Sequence, residues 1–184
     1  LPAWIPGSYM IRDFAKNVVL LDVSCRGEPL RATKTDKQTW RCDPCDGPLS
    51  IAYQVYAWDL SVRSAHFDTT HAYFNGTSLF LRVQGQEHKT CFVELVQPVN
   101  PPYATWKVAT SLARAGVRTY QFGRYSADDY DDLIDHPVEI GNFSSICFDV
   151  AGKPHELVIQ GRHNTDLERL KCDLQRICEQ HVSL

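Results

Sequence analysis

His155 and Glu156 open the stretch HELVI. These are the first two residues of the His-Glu-x-x-His pattern, in which two imidazoles on one helix face hold zinc and the glutamate activates water. The fifth position here is Ile159. The segment also alternates like a strand, which would set positions 155 and 159 about 13 Å apart, so His155 reads as a surface residue beside a turn. His66 and His71 flank Phe-Asp-Thr-Thr, with Asp68 between them. Imidazole and carboxylate are zinc-type ligands, but on strand-and-loop sequence these three meet only where the chain bends to bring them together. Satisfied or solvated histidines are the expectation. Cys42-Asp-Pro-Cys45 supplies half of a four-ligand zinc site without a second pair. Pro44 and Gly47 make it read as a turn between strands, with a metal site at Cys42 and Cys45 as the rival.

The acidic run from Asp128 to Asp132 raises calcium. A calcium loop counted from Asp128 needs Gly at its sixth position and Glu at its twelfth. Leu133 and Glu139 stand there, so a solvated acidic turn leading into a short helix is expected. Ser8 follows Gly7, but the nucleophile elbow needs a second Gly where Met10 stands. Neither a Gly-x-Gly-x-x-Gly fingerprint nor a phosphate-binding loop occurs in the sequence.

The elements available to position such residues follow a period of two. In LSIAYQVYAWD, Leu49, Ile51, Tyr53, Val55 and Ala57 alternate with a second set, the pattern of a half-buried strand. VVLLDVSC puts Val19, Leu21, Val23 and Cys25 on one side. Asn75-Gly76 between two strand-like runs predicts a tight hairpin. Further strands are expected at Thr90–Val96, Trp106–Thr110, Val117–Phe122 and Ser145–Val150, with His155–Gln160 returning after an Ala-Gly-Lys-Pro turn. About ten short strands in residues 17 to 161 predict an antiparallel β-sandwich. Beyond Thr165 the period changes. Thr165 and Glu168 fit a capping box, and Leu167, Leu170, Leu174, Ile177, Cys178 and His181 share one helical face. The expected organisation is a β domain over 1–164 and an amphipathic helix over 165–184.

Of the 184 residues, 43% are hydrophobic and 22% charged, a balance that excludes a disordered chain. The net charge is −3, and without a Lys/Arg block no nucleic-acid footprint is expected. No apolar run reaches the length of a membrane helix, so no membrane partner is expected. Seven Cys at irregular spacing do not form an even disulfide framework. A reducing compartment, the cytoplasm, is favoured, with the periplasm open if a leader has been removed. The chain opens on LPAWIPGSYMIRDFAK without an initiator Met, which suggests a piece of a longer protein.

Four stretches carry a family resemblance. WIPGSYMIRDFAKNV resembles the segment Trp-x-Pro-Gly-Ser-Tyr-x-Ile-Arg-Asp-Phe-Ala-Arg of family M61 peptidases, glycyl aminopeptidase-like enzymes that often carry a PDZ domain. YQVYAWDLSVRSAHFD, AYFNGTSLFLRV and YDDLIDHPVEIGNF resemble later segments of the same family, in the same order. The resemblance implies a parent zinc-dependent aminopeptidase acting on N-terminal Gly or Ala. In that parent an N-terminal β-domain precedes a thermolysin-like catalytic domain. It implies that this chain starts one strand inside the family pattern and that the 165–184 helix begins the catalytic domain. His-Glu-x-x-His does not occur here, so no catalytic residue and no metal ligand transfers, and no cofactor is expected in the chain itself. The expected partners are the catalytic domain of the same polypeptide, a peptide substrate and, through the helix face, a second copy of the chain. Pro2, Pro6 and Gly7 would make a stiff turn that presents Trp4 and Tyr9, with Arg12 beyond, as walls of a substrate cleft. The alternative is Trp4 and Tyr9 in the core, with Arg12 and Asp13 as a surface ion pair. The rival function is a free-standing β-sandwich module binding peptide or carbohydrate.

Overall fold

The computed structural model describes residues 1–5 and 7–184; Pro6, expected to stiffen the opening turn, lies outside them. In chain order the strands are β1 (Val18–Cys25), β2 (Glu28–Leu30), β3 (Ala32–Lys34), β4 (Trp40–Cys42), β5 (Leu49–Val55), β6 (Ala65–Phe67) and β7 (His71–Phe74). There follow β8 (Cys91–Leu95), β9 (Lys107–Thr110), β10 (Ala113–Arg114) and β11 (Gly123–Ala127). A short helix, α1 (Tyr130–Ile134), precedes β12 (Val138–Gly141), β13 (Phe143–Val150) and β14 (Lys153–Gln160), and the long helix α2 (Leu167–Val182) completes the fold. The protein is mainly β, as its alternation predicts. Its strands form several antiparallel sheets, ordered β2-β1-β5, β10-β11-β8, β6-β7-β12-β9, β13-β14 and β3-β4.

The main core lies where the inner faces of two sheets meet. Ala65, Phe74, Val108 and Val138 come from β6-β7-β12-β9, and Val93, Tyr125 and Ala127 from β10-β11-β8. Tyr130 and Leu133 of α1 join the same cluster. Val138 is fully buried, and each such side chain removed from water contributes about 1.5–3 kcal/mol. A smaller cluster of Leu1, Phe14 and Ala15 packs with Trp40 and Leu81 and ties down the N-terminus.

The sequence reading holds for β1, β5, β8, β9 and the β13–β14 hairpin. That hairpin turns on Ala151 (φ 49°) and Gly152 (φ 73°), the paired positive φ that suits the strand twist. Asn75-Gly76 is a correction. It forms no hairpin but starts a 3-10 turn, Gly76–Ser78, whose N–H at Thr77 is capped by the Asn75 side chain. The Leu79 and Phe80 carbonyls accept from the hydroxyls of Tyr53 and Tyr130, each at 2.8 Å, so side chains replace a partner strand there. Val117–Phe122 is not a strand either. The backbone turns at Gly116 (φ 93°) and Tyr120 (φ 65°), and the strand comes afterwards, as β11. The acidic run does lead into a short helix, α1, capped by Asp129. α2 begins one residue later than the capping box predicts: Asp166, not Thr165, accepts from Arg169 N–H at 3.0 Å. The helix packs on β13, with Leu167, Leu170, Leu174 and Cys178 half-buried and Ile177 exposed. Among the described residues no helix is long and apolar enough to cross a membrane.

Candidate functional site

Register makes the outer face of β6-β7-β12-β9 polar. His66 pairs with Tyr73, and Tyr73 with Glu139. Directly opposed residues share a face, so His66, Tyr73 and Glu139 form one row across three strands. His71, two residues before Tyr73, lies on the same face opposite Gly141. Ala65, Phe74, Val108 and Val138 of the same strands turn inward to the core, while Phe67 stays exposed. Gly141 sits at φ 156°, a backbone conformation that side-chain-bearing residues rarely adopt, and a Cβ there would also press on the end of the Gln160 side chain and on His71.

Asp68, at the β6–β7 bend, draws both histidines together. Its Oδ2 lies 3.2 Å from His66 Nε2 and its Oδ1 3.7 Å from His71 Nδ1. Oδ1 also accepts from Thr70 N–H (2.6 Å), Thr70 Oγ1 (2.7 Å) and His71 N–H (3.1 Å). The Thr70 donors, followed by His66 and the His71 amide, hold the Asp68 carboxyl well below the usual range. The imidazoles stack with centroids 5.0 Å apart, and Trp58 lies at 5.0 Å from His66 on its other side. His66 is 5% exposed, and its Nδ1 is buried with no partner. The bend that the sequence reading made the condition for these three residues to meet is present, at the β6–β7 turn. An alternation signal was present in the sequence, since His66 and Asp68, like His71 and Tyr73, sit two residues apart.

Glu139 is half-buried with Oε1 lacking a partner, and desolvation pushes its carboxyl up to about 7. Tyr73 donates to Val62 O at 2.8 Å. Burial first, and then the Glu139 charge, raise its phenol. Beside His71 a hollow of about 420 Å³ opens between Thr70, Asn142, Gln160, Gly161 and Arg162. The face thus assembles a carboxyl poised near neutrality, two imidazoles and a carboxylate.

The residues singled out near the N-terminus lie on a different element. Trp4 is 46% exposed and donates from Nε1 to Ser8 O at 2.5 Å; Tyr9 is wholly exposed. Neither is a core residue. Trp4 lines a hollow of about 510 Å³ with Trp40, Leu49, Ile51 and Arg82; Tyr9 and Arg12 do not border it. Arg12 N–H donates to Ala3 O at 2.7 Å, while its Nε is buried without a partner. Asp13 pairs with Lys37 at 3.6 Å rather than with Arg12. Gly7, at φ 79°, makes the turn that sets Ser8 and Tyr9. All seven cysteines are free thiols. Cys45 donates from Sγ to Gly47 O at 3.5 Å, and its presence beside Cys25 pushes that thiol up. Among the described residues, Cys42 and Cys45 belong to no cluster of three metal-type ligands. His155 is exposed and bonds the Lys153 carbonyl at 3.0 Å.

A family model described as the peptidase M61 N-terminal domain matches residues 1–142. No curated protein matches the chain. A crystal structure of an aminopeptidase N family protein from Idiomarina loihiensis superposes with a TM-score of 0.94 at 43% identity, covering 100% of this chain and 31% of that one. The chain therefore spans less than a third of the length of that relative. With the family model covering most of the chain, and a fold that follows a peptidase-family relative end to end, this chain belongs to the peptidase M61 N-terminal domain family.

Proposed function

We propose that this chain serves as the non-catalytic N-terminal domain of a zinc-dependent aminopeptidase that removes N-terminal Gly or Ala. In this reading the β domain, residues 1–164, supports a catalytic domain and limits access to it. Helix α2, within residues 165–184, opens the next domain, and a substrate peptide and that domain are the partners. The observation that carries the proposal is the pairing of the family match over residues 1–142 with a sequence that has no His-Glu-x-x-His. The residues present do not fit the catalytic zinc of such an enzyme. The three-ligand cluster among the described residues is His66, Asp68 and His71 on a strand turn, not two histidines one turn apart on a helix. Zinc and its water-activating chemistry belong, in this proposal, to the catalytic domain.

Trp4, Tyr9 and Arg12 are assigned to the cleft wall. Exposure of Trp4 and Tyr9 on either side of the Gly7 turn favours that assignment, since a large aromatic left in water in an isolated domain is available to face a neighbour. The exposed Ile177 edge of α2 suits the same role toward the following domain, or toward a second copy when the chain is isolated. The test is a polypeptide extending beyond residue 184, assayed with Gly- and Ala-derived reporters. It should hydrolyse both, lose activity to a chelator and recover it with zinc. Activity on neither reporter, with the chain correctly folded, would overturn the proposal.

A further inference from the structure

We propose that His66 Nε2, the Asp68 carboxylate and His71 Nδ1 form a binding site for a divalent transition-metal ion of the zinc type. This rests on the β6–β7 turn and not on the proposed function of the parent. One ligand atom from each residue lies within 4.8 Å of the others, and Asp68 meets each imidazole through a different oxygen, Oδ2 at 3.2 Å from His66 Nε2 and Oδ1 at 3.7 Å from His71 Nδ1. Zinc–nitrogen and zinc–oxygen bonds of about 2.0–2.2 Å give a tetrahedral edge of about 3.4 Å. The three donor atoms lie near that spacing, and in this proposal rotation of the partly exposed Asp68 and His71 side chains closes the site. Two imidazoles and one carboxylate select zinc and its borderline neighbours over magnesium or calcium, which prefer all-oxygen shells.

The ligands are positioned before any ion arrives. His66 lies in β6 with its ring between Trp58 and His71. Asp68 is fixed by three donors on Oδ1, which leaves Oδ2 directed at His66. His71 begins β7. Three protein ligands leave a coordination position for water, and Asp68 and His71 keep side-chain exposures of 27% and 17% through which water and the ion enter.

Thr70 Oγ1 lies 2.7 Å from Asp68 Oδ1 and 3.0 Å from His71 Nδ1, tying the carboxylate to the second imidazole.

The test is titration of the chain with Co²⁺ and Zn²⁺ in the presence of reductant. Co²⁺ should give visible d–d bands of a low-coordinate N/O site with no thiolate charge-transfer band, and equimolar Zn²⁺ should displace it. Asp68→Asn and His71→Gln should each weaken binding at least tenfold, while Cys42→Ser/Cys45→Ser leaves it unchanged. Where a variant fails to fold, X-ray absorption of the Zn²⁺-loaded wild type decides, with a nitrogen/oxygen shell and imidazole scattering expected. Absence of binding, a sulfur shell, or bands that survive Asp68→Asn in folded protein would overturn the assignment in favour of a hydrogen-bonded His-Asp-His cluster.

Discussion

Replacing Glu139 by Gln tests the electrostatics of the polar sheet face. Glu139 is half-buried, one carboxyl oxygen has no partner, and desolvation raises the group from 4.5 to about 7. The folded state therefore holds this proton more tightly than the unfolded chain does. Stability from this residue is present below the unfolded value and declines as pH rises toward 7, after which the loss is constant. At about 1.36 kcal/mol per tenfold change in proton affinity, the shift sets a ceiling of about 3 kcal/mol. Because much of the carboxyl still meets water, screening brings this to about 1–2 kcal/mol. Glu139→Gln keeps the shape and removes the charge. In urea titrations at pH 5 and pH 8 with chelator present, the variant should gain about 1–2 kcal/mol relative to wild type on going to the higher pH. Histidines and other carboxylates titrate in both proteins and cancel in the difference. A difference that stays constant across this range would show that Glu139 is solvated, and the reasoning about the face would fail.

Gly76→Ala should destabilise the domain by about 1–3 kcal/mol in the same denaturation assay, because its Cβ would stand 2.8 Å from Ile134 Cα, a backbone atom that cannot move alone. Asp166→Ala removes the side-chain cap of α2 and should cost about 1 kcal/mol, read as faster amide exchange in the first turn of the helix, while Thr165→Ala changes little.

The sequence is legible where one pattern has one physical use. Alternation in LSIAYQV and FSSICFDV leads to β5 and β13, because period two places side chains on opposite faces in any sheet. The spacing of Leu167, Leu170 and Leu174 similarly leads to α2. Asn75-Gly76 misleads because the pair has two uses. Glycine can supply positive φ or simply lack a Cβ, and here contact with Ile134 requires the second. The apolar residues of Val117–Phe122 reach the core from a turn, where Val117 and Phe122 pack, so hydrophobicity is present without the backbone it usually signals. The polar face is a matter of register. His66, Tyr73 and Glu139 come from three strands, and β7 and β12 are separated in the chain by the three strands of another sheet, β8, β10 and β11. No local pattern sets Tyr73 against Glu139.

The central claim is that these residues support catalysis without performing it. Its most direct measurement is the hydrolysis of an Ala-derived aminopeptidase reporter by this chain alone, purified free of other peptidases and loaded with Zn²⁺. The account predicts no rate above buffer, with or without EDTA, even if His66, Asp68 and His71 retain the ion. Turnover that EDTA abolishes and Zn²⁺ restores would contradict it.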